Sequence, residues 1–431
     1  MIRLVTAVLF LFSSQILAQV SNTEQKMLDH IDETNQQALE LLIESVNINS
    51  GTMNFDGVKE TAEHLIPHFE ALGFTTWFED GNDWNRAGHL IAEHLGSDDA
   101  PKIMLIGHLD TVFEPDSPFQ KFEMVNDTTA KGPGIADMKG GNIIMLQALR
   151  ALKEAGELDD MNIKIVITGD EELSGRPLDL SKKALIDAAK WADISIGFEN
   201  GDGNPGTANV SRRGSIGWEL NVTGTPAHSS QIFREDIGAG AIFEASRILT
   251  LFYEELRSEE FLTFNPGRIL GGTSVNHDKG SSSGDVFGKT NVVAETAVIA
   301  GDLRALSPEQ EDRVKDRMRQ IVRRNLLGTS AVINFYEGYP PMAPTEGNYK
   351  LLEIYSQVSQ DLGFGEVVAV NPLRAGAADV SFTATYVDMA IDALGMSGTD
   401  GHTVNELGYI NQLPRQSKRA ALLLYRLQDL E

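Results

Sequence analysis

Apolar positions along the first half of the chain alternate between helical and extended spacing. In residues 57–73 (GVKETAEHLIPHFEALG), Val58, Leu65, Ile66, Phe69 and Leu72 fall on one helical face, and Gly73 supplies the stop. Residues 102–107 (KIMLIG) form a short apolar run, the pattern of a strand buried on both faces. A helix is predicted over 141–156, ending at Gly156, then a strand over 162–168 (NIKIVIT), a helix near 181–191 and a third strand over 193–198 (DISIGF). Strands alternating with helices predict a mostly parallel sheet covered on both sides.

The pattern changes near Ser211. Residues 215–223 (SIGWELNVT) alternate as a half-exposed strand does. A helix follows at 237–257, then strands near 262–275 and 291–303, a helix from Pro308 to 325, and a last strand at 330–336 (SAVINFY). The order β-α-β-β-α-β is that of a small split sheet with two helices, as in ferredoxin-like α+β units. It is an insert, because patterns of the first type resume after Gly347. The GSSSG at 280–284 is expected to be a flexible surface loop. The fold class is therefore α/β, a central mostly parallel sheet with an inserted ferredoxin-like α+β domain.

Composition narrows the function. With 431 residues, two domains are the natural division. The net charge of −26 repels nucleic acid and anionic membranes, so neither is an expected partner. Cysteine is absent, which excludes disulfides, a thiol nucleophile and thiolate metal sites; any transition-metal site must use His, Asp and Glu. The N-terminus has Arg3, an apolar run over 4–12 and small or polar residues up to Ala18. That is the pattern of a cleaved signal peptide over 1–18, too short to span a bilayer, and it predicts a periplasmic or secreted protein. A buried first helix or a membrane anchor is the competing interpretation.

Five segments carry acids and histidines at predicted strand ends or in glycine-rich turns. They are GHLDT with His108 and Asp110, GPGIADMKGGN with Asp137, TGDEELSG with Glu171 and Glu172, GFENGDG with Glu199, and GTDGHTVNE with His402. Open α/β sheets place their sites beyond the C-terminal ends of strands. Residues two apart on a strand share a face, so the Asp110 carboxylate is expected to accept a hydrogen bond from the His108 ring and orient it toward a metal. Taken singly, each acid could be a solvated surface charge and each histidine an ordinary surface group. The glycine-rich GPGIADMKGG lacks the GxxxxGKS/T spacing of a phosphate loop, and its acid would repel phosphate.

Convergence changes the weighing, since several acids at one sheet edge repel unless a cation lies among them. With Glu172 taken from its pair, Asp137, Glu172 and Glu199 bring three negative charges and a bound hydroxide a fourth, which two divalent ions balance. Neutral His108 and His402 complete one imidazole per metal, with Asp137 shared. Spacing does not distinguish Glu171 from Glu172.

These segments resemble the dizinc exopeptidases that include glutamate carboxypeptidase (carboxypeptidase G), aminoacylase, acetylornithine deacetylase and succinyl-diaminopimelate desuccinylase. GHLDTV, GPGIADMKGG and DEELSG carry the resemblance, GPGIADMKGGN being nearest the glutamate carboxypeptidase branch. The resemblance implies a catalytic domain in two parts, 19–210 and 339–431, around a lid/dimerisation domain at 211–338. It implies two Zn2+, with Co2+ or Mn2+ able to substitute. Asp137 would bridge, His108 and Glu199 would bind one metal, and Glu172 and His402 the other. Asp110 would stand behind His108, and Glu171 would be the general base of amide hydrolysis.

Further contacts follow from the same resemblance. His228 in TGTPAHSS would help hold the tetrahedral intermediate, with a surface-loop histidine as the alternative. Arg304 in GDLRA would grip a substrate carboxylate together with an Asn. Asn276 and Asn291 each match half of one motif, separated by an insertion of about 15 residues. In RAGAADVSF, Asp379 matches a family acid, Arg374 would meet an anionic substrate, and GMSGTDGH would offer backbone N–H groups to a carboxylate. The expected protein is a homodimer through the lid, secreted, acting on small peptides or N-acyl amino acids with a free C-terminal carboxylate. A deacylase of the same fold and a non-catalytic periplasmic binding protein are the alternatives.

Overall fold

The computed structural model of the protein describes residues 20–278, 280 and 282–430; the leader expected at 1–18 lies outside them. At its centre is a six-stranded sheet in the spatial order Thr75–Asp80, Gly88–His94, Asn162–Thr168, Lys102–His108, Ile194–Gly197, Met389–Ile391. The last four run parallel, while Gly88–His94 pairs antiparallel with both Asn162–Thr168 and the edge strand Thr75–Asp80.

The apolar run at 102–108 is continuous because both faces are covered. Ile103 and Leu105 belong to one core with the helices Asn22–Asn47, Gly140–Ala155 and Leu413–Arg426. Met104 and Ile106 point the other way, into a second core with Leu185, Ala188 and Ala189 of the helix Lys183–Trp191. The helix Asn22–Asn47 starts at a capping box: Ser21 Oγ accepts the Glu24 N–H, and the Glu24 carboxylate accepts that of Ser21.

The chain enters a second sheet at Ser215 and leaves it at Tyr339, and these two residues pair with one another. The order is Thr263–Gly272, Thr296–Arg304, Ser215–Gly224, Thr329–Tyr339, all antiparallel. Ile216, Trp218, Leu220 and Val222 point to one face, against Ile248 and Phe252 of the helix Ala241–Leu256 and Val314 and Met318 of the helix Pro308–Val322. Strand alternation of period two produces this one-sided core.

One expectation is corrected. The GSSSG segment is not simply a loop, because its last two residues open the strand Ser283–Phe287, which pairs with Ser274–Asp278. Main-chain hydrogen bonds form this hairpin, and they are indifferent to the serine side chains that suggested flexibility. Among the described residues, no helix is long and apolar enough to cross a membrane.

Candidate metal centre

The strand Lys102–His108 delivers His108 to the edge of the sheet, where the Asn142 amide binds its carbonyl at 2.7 Å. The ring Nδ1 contacts the backbone carbonyl of Asp110 at 2.9 Å. A carbonyl only accepts, so Nδ1 carries a proton and Nε2 is the nitrogen open to a cation. The Asp110 carboxylate stands behind the same nitrogen, with Oδ1 at 3.5 Å. That carboxylate also accepts the Thr52 hydroxyl at 2.6 Å and the N–H groups of Glu171 and Glu172, both at 3.1 Å. Asp110 therefore shapes the acidic loop as well as the histidine.

Asp137 sits in the turn before the helix Gly140–Ala155, with φ −118° and ψ 89°, outside helical values. Gly134 opens this turn at φ +70°, where an added Cβ would meet the Thr111 methyl at 2.5 Å. The turn wraps the buried carboxylate of Glu406, which accepts N–H groups from Gly134 (3.1 Å), Ala136 (2.9 Å) and Asp137 (3.1 Å). Burial and the nearby Asp137 charge push Glu406 up to about 7, against those three donors. Glu406 thus ties the Asp137 turn to the loop carrying His402. Glu199 is placed by its N–H, which donates to Asp392 at 3.2 Å, and Asp392 is held by two guanidinium nitrogens of Arg212 at 2.7 Å.

These supports bring five side chains together. His108 Nε2 lies 3.3 Å from Asp137 Oδ1 and 3.6 Å from Glu199 Oε1. His402 Nε2 lies 3.1 Å from Asp137 Oδ2 and 3.1 Å from Glu172 Oε2. The result is two triads that share Asp137, with the ligand atoms of each all within 4.8 Å of one another. The donors are imidazole nitrogens and carboxylate oxygens, one histidine and one terminal carboxylate per triad, a set that suits a divalent transition metal in each.

The electrostatics agree. Burial pushes Glu199 and Glu171 well up, opposed by His108 and reinforced by neighbouring carboxylates. Burial also works to raise Asp137, but hydrogen bonds from His108 and His402 bring it well below the usual carboxylate range. Burial lowers the His108 pKa, yet Glu199, Asp110 and Asp137 together raise it well above the ordinary value. Hydrogen bonds to Asp137 and Glu172 push His402 up to about 11. Protonated, the two imidazoles would offset the charge of these carboxylates.

A metal binds neutral imidazole and must displace those protons. Metal affinity is therefore expected to rise with pH, by about tenfold per unit for each proton displaced. Calorimetric titration of stripped protein at two pH values, in buffers of different ionisation heat, checks this.

The remaining sequence candidates do not join the cage. His228 is exposed, its Nδ1 2.8 Å from Ser230 Oγ, and its backbone forms a bridge with Val292. Asn276 is exposed in the hairpin opposite Asp285, and Asn291 is exposed with its carbonyl accepting the Ser229 N–H. The insertion has folded into the hairpin and separated the two halves of the motif. Arg304 ends its strand half-buried, 3.1 Å from Asp302. Arg374 is exposed and lies 3.2 Å from Asp202, in the loop after Glu199. A cleft of about 330 Å³ lies beside Asp137, lined by Ala136, Asn200, Asp202, Thr399 and Asp400 among others.

Asp379, matched in the sequence to a family acid, is buried and receives the Thr168 hydroxyl. Lys182 and Asp170 had escaped notice in the sequence: Lys182 lies 3.1 Å from Asp379 and pairs with Asp170 at 2.9 Å. Glu406 falls inside the segment that carries His402, but no spacing rule separates an acid gripping backbone amides from a solvated one.

Comparison with known proteins follows the same lines. Residues 104–426 match the model of Peptidase family M20/M25/M40. Carboxypeptidase G2 of Pseudomonas sp. (strain RS-16) is 25% identical over 385 residues, covering 88% of this chain and 86% of that protein. Aminoacylase-1 of Mus musculus is 27% identical over 258 residues, 57% of this chain and 60% of that protein. Among solved structures, an aminopeptidase from Bacillus cereus superposes with a TM-score of 0.71 at 20% identity, covering 91% of this chain and 98% of that one. A dinuclear metal-binding peptidase of Bacillus subtilis superposes with a TM-score of 0.65 at 16% identity, covering 93% and 99%.

Proposed function

The chain belongs to peptidase family M20/M25/M40, an enzyme family that hydrolyses amide or peptide bonds, and from this we propose a glutamate carboxypeptidase-like activity using two divalent metals. The substrate is a small peptide or N-acyl amino acid with a free C-terminal carboxylate. One observation carries the reading: two triads share Asp137, while Glu171 stands beside them as a member of neither. The similarity to carboxypeptidase G2 over most of both chains supports the substrate class. The similarity in fold to a dinuclear metal-binding peptidase supports the metal count.

His108, Asp137 and Glu199 would hold one ion, and Asp137, Glu172 and His402 the other; Zn2+ is the first choice, with Co2+ or Mn2+ accepted by the same N/O donors. Bound metals would supply Lewis-acid polarisation of the scissile carbonyl and of the attacking water. Glu171 would take a proton from the attacking water and return it to the leaving amine.

Arg304 grips the substrate carboxylate, with His228, Asn276 or Asn291 and Arg374 as further contacts once the lid closes. Replacing Arg304 by alanine is then expected to raise KM about tenfold or more with a smaller change in kcat, read from steady-state kinetics. The lid also forms the homodimer. In support, its exposed surface carries Phe233, Ile242, Phe243 and Phe287. Export through the N-terminal leader places the enzyme in the periplasm or outside the cell.

The deciding experiment is a screen of the metal-reconstituted mature protein against N-acyl amino acids and dipeptides varied at the C-terminal residue, each beside its C-terminal amide. The reading expects hydrolysis of the free acids and little of the amides. Equal rates on both would remove the carboxylate requirement.

A further inference from the structure

The lid strand Thr329–Tyr339 ends against the acidic loop. At its last residue, where it pairs with Ser215 at the crossing between the two sheets, the Tyr339 hydroxyl reaches back into the first domain. It donates to the Glu171 carbonyl at 2.8 Å, lies 3.0 Å from Ser174 Oγ, and has Asp379 Oδ1 at 3.3 Å. The ring packs edge-on against Phe382, with centroids 4.9 Å apart, and lies under the Lys182 ammonium at 5.6 Å. Asp110 holds the N–H of Glu171 from the other side. Asp170, one residue earlier, is fixed by Lys182 and accepts the Gly175 N–H and the Ser181 hydroxyl.

The peptide groups flanking Glu171 are thus clamped, while its carboxyl takes part in neither metal triad. Of the clamping groups named here, the Tyr339 hydroxyl alone comes from the segment that leads out of the lid. Resting on the assignment of Glu171 as general base, we propose that Tyr339 is a positioning residue that sets the Glu171 carboxyl from the lid crossing and so couples the lid to proton transfer. Small displacements of a reacting group are costly, so loss of one such hydrogen bond is felt in turnover rather than in binding.

The test is a cycle of Tyr339→Phe, Glu171→Ala and the double variant, with metal content and thermal midpoint measured on the same samples. Tyr339→Phe removes only the hydroxyl. It is expected to retain two metals per chain, keep KM within about twofold, and lower kcat about tenfold. In the Glu171→Ala background the same change is expected to do nothing more, because the group it acts through is gone. Should the phenylalanine variant fold poorly, Ser174→Ala removes a second partner of the hydroxyl and should give a smaller kcat loss with the same KM. An unchanged kcat in Tyr339→Phe, a fall in metal content, or an equal further loss in the double variant would overturn the proposal. Full activity in Glu171→Ala would instead overturn the general-base assignment beneath it.

Discussion

Glu171→Ala is expected to lower kcat by about a thousandfold while the protein still binds two metals per chain. The two halves of this result have separate physical origins. Glu171 belongs to neither ligand triad, so its removal leaves the five donors in place. Its backbone is held independently, by Asp110 on the N–H and Tyr339 on the carbonyl, so the truncated loop keeps its shape. What is lost is the carrier of the proton. Glu171→Gln should behave alike, because it preserves volume and abolishes proton transfer. The check pairs steady-state kinetics with elemental analysis. Glu172→Ala supplies the contrast, since that residue belongs to the triad with His402 and its loss should cost metal as well as rate.

The second large effect is expected at Asp137. Each of its two oxygens faces a different histidine, at 3.3 Å for His108 and 3.1 Å for His402. Asp137→Ala therefore removes a donor from both triads and leaves Glu199 and Glu172 with a single imidazole each. Metal content should fall from two per chain to nearly none, and turnover with it. The wild type gains stability from bound metal by mass action, about 4 kcal/mol at a free concentration a thousand times Kd. The variant should lose that gain, so adding metal should raise the thermal midpoint of the wild type and leave the variant unmoved. A differential scan with and without metal reads this directly. His402→Ala affects one triad only and should keep one ion.

Much of this was legible in the sequence because the ligands follow strong local signals. His108 closes the apolar run at 102–108, the Glu171–Glu172 pair follows the strand Asn162–Thr168, and Glu199 follows Ile194–Gly197. Strand periodicity located the edge of the sheet, and acids at that edge needed a cation. What was not legible depends on contacts between distant residues. Glu406 grips amides some 270 positions away, and Tyr339 reaches Glu171 across 168. No local pattern marks either. Strand alternation put the Asp110 carboxylate behind His108, where it lies at 3.5 Å, but did not reveal that the Asp110 backbone carbonyl is the nearer partner at 2.9 Å. Asn276 and Asn291 were split by an insertion whose hairpin pairing is made by the backbone, which side-chain character does not reveal.

The central claim is that five side chains from separate segments form one cage for two cations, and the most direct measurement is a metal titration of chelator-stripped protein followed by activity and bound-metal analysis together. The account predicts no hydrolysis by the stripped protein, binding that saturates at two equivalents, and turnover that returns as the second equivalent fills. Undiminished hydrolysis by fully stripped protein, or saturation at a single ion with full turnover, would contradict it.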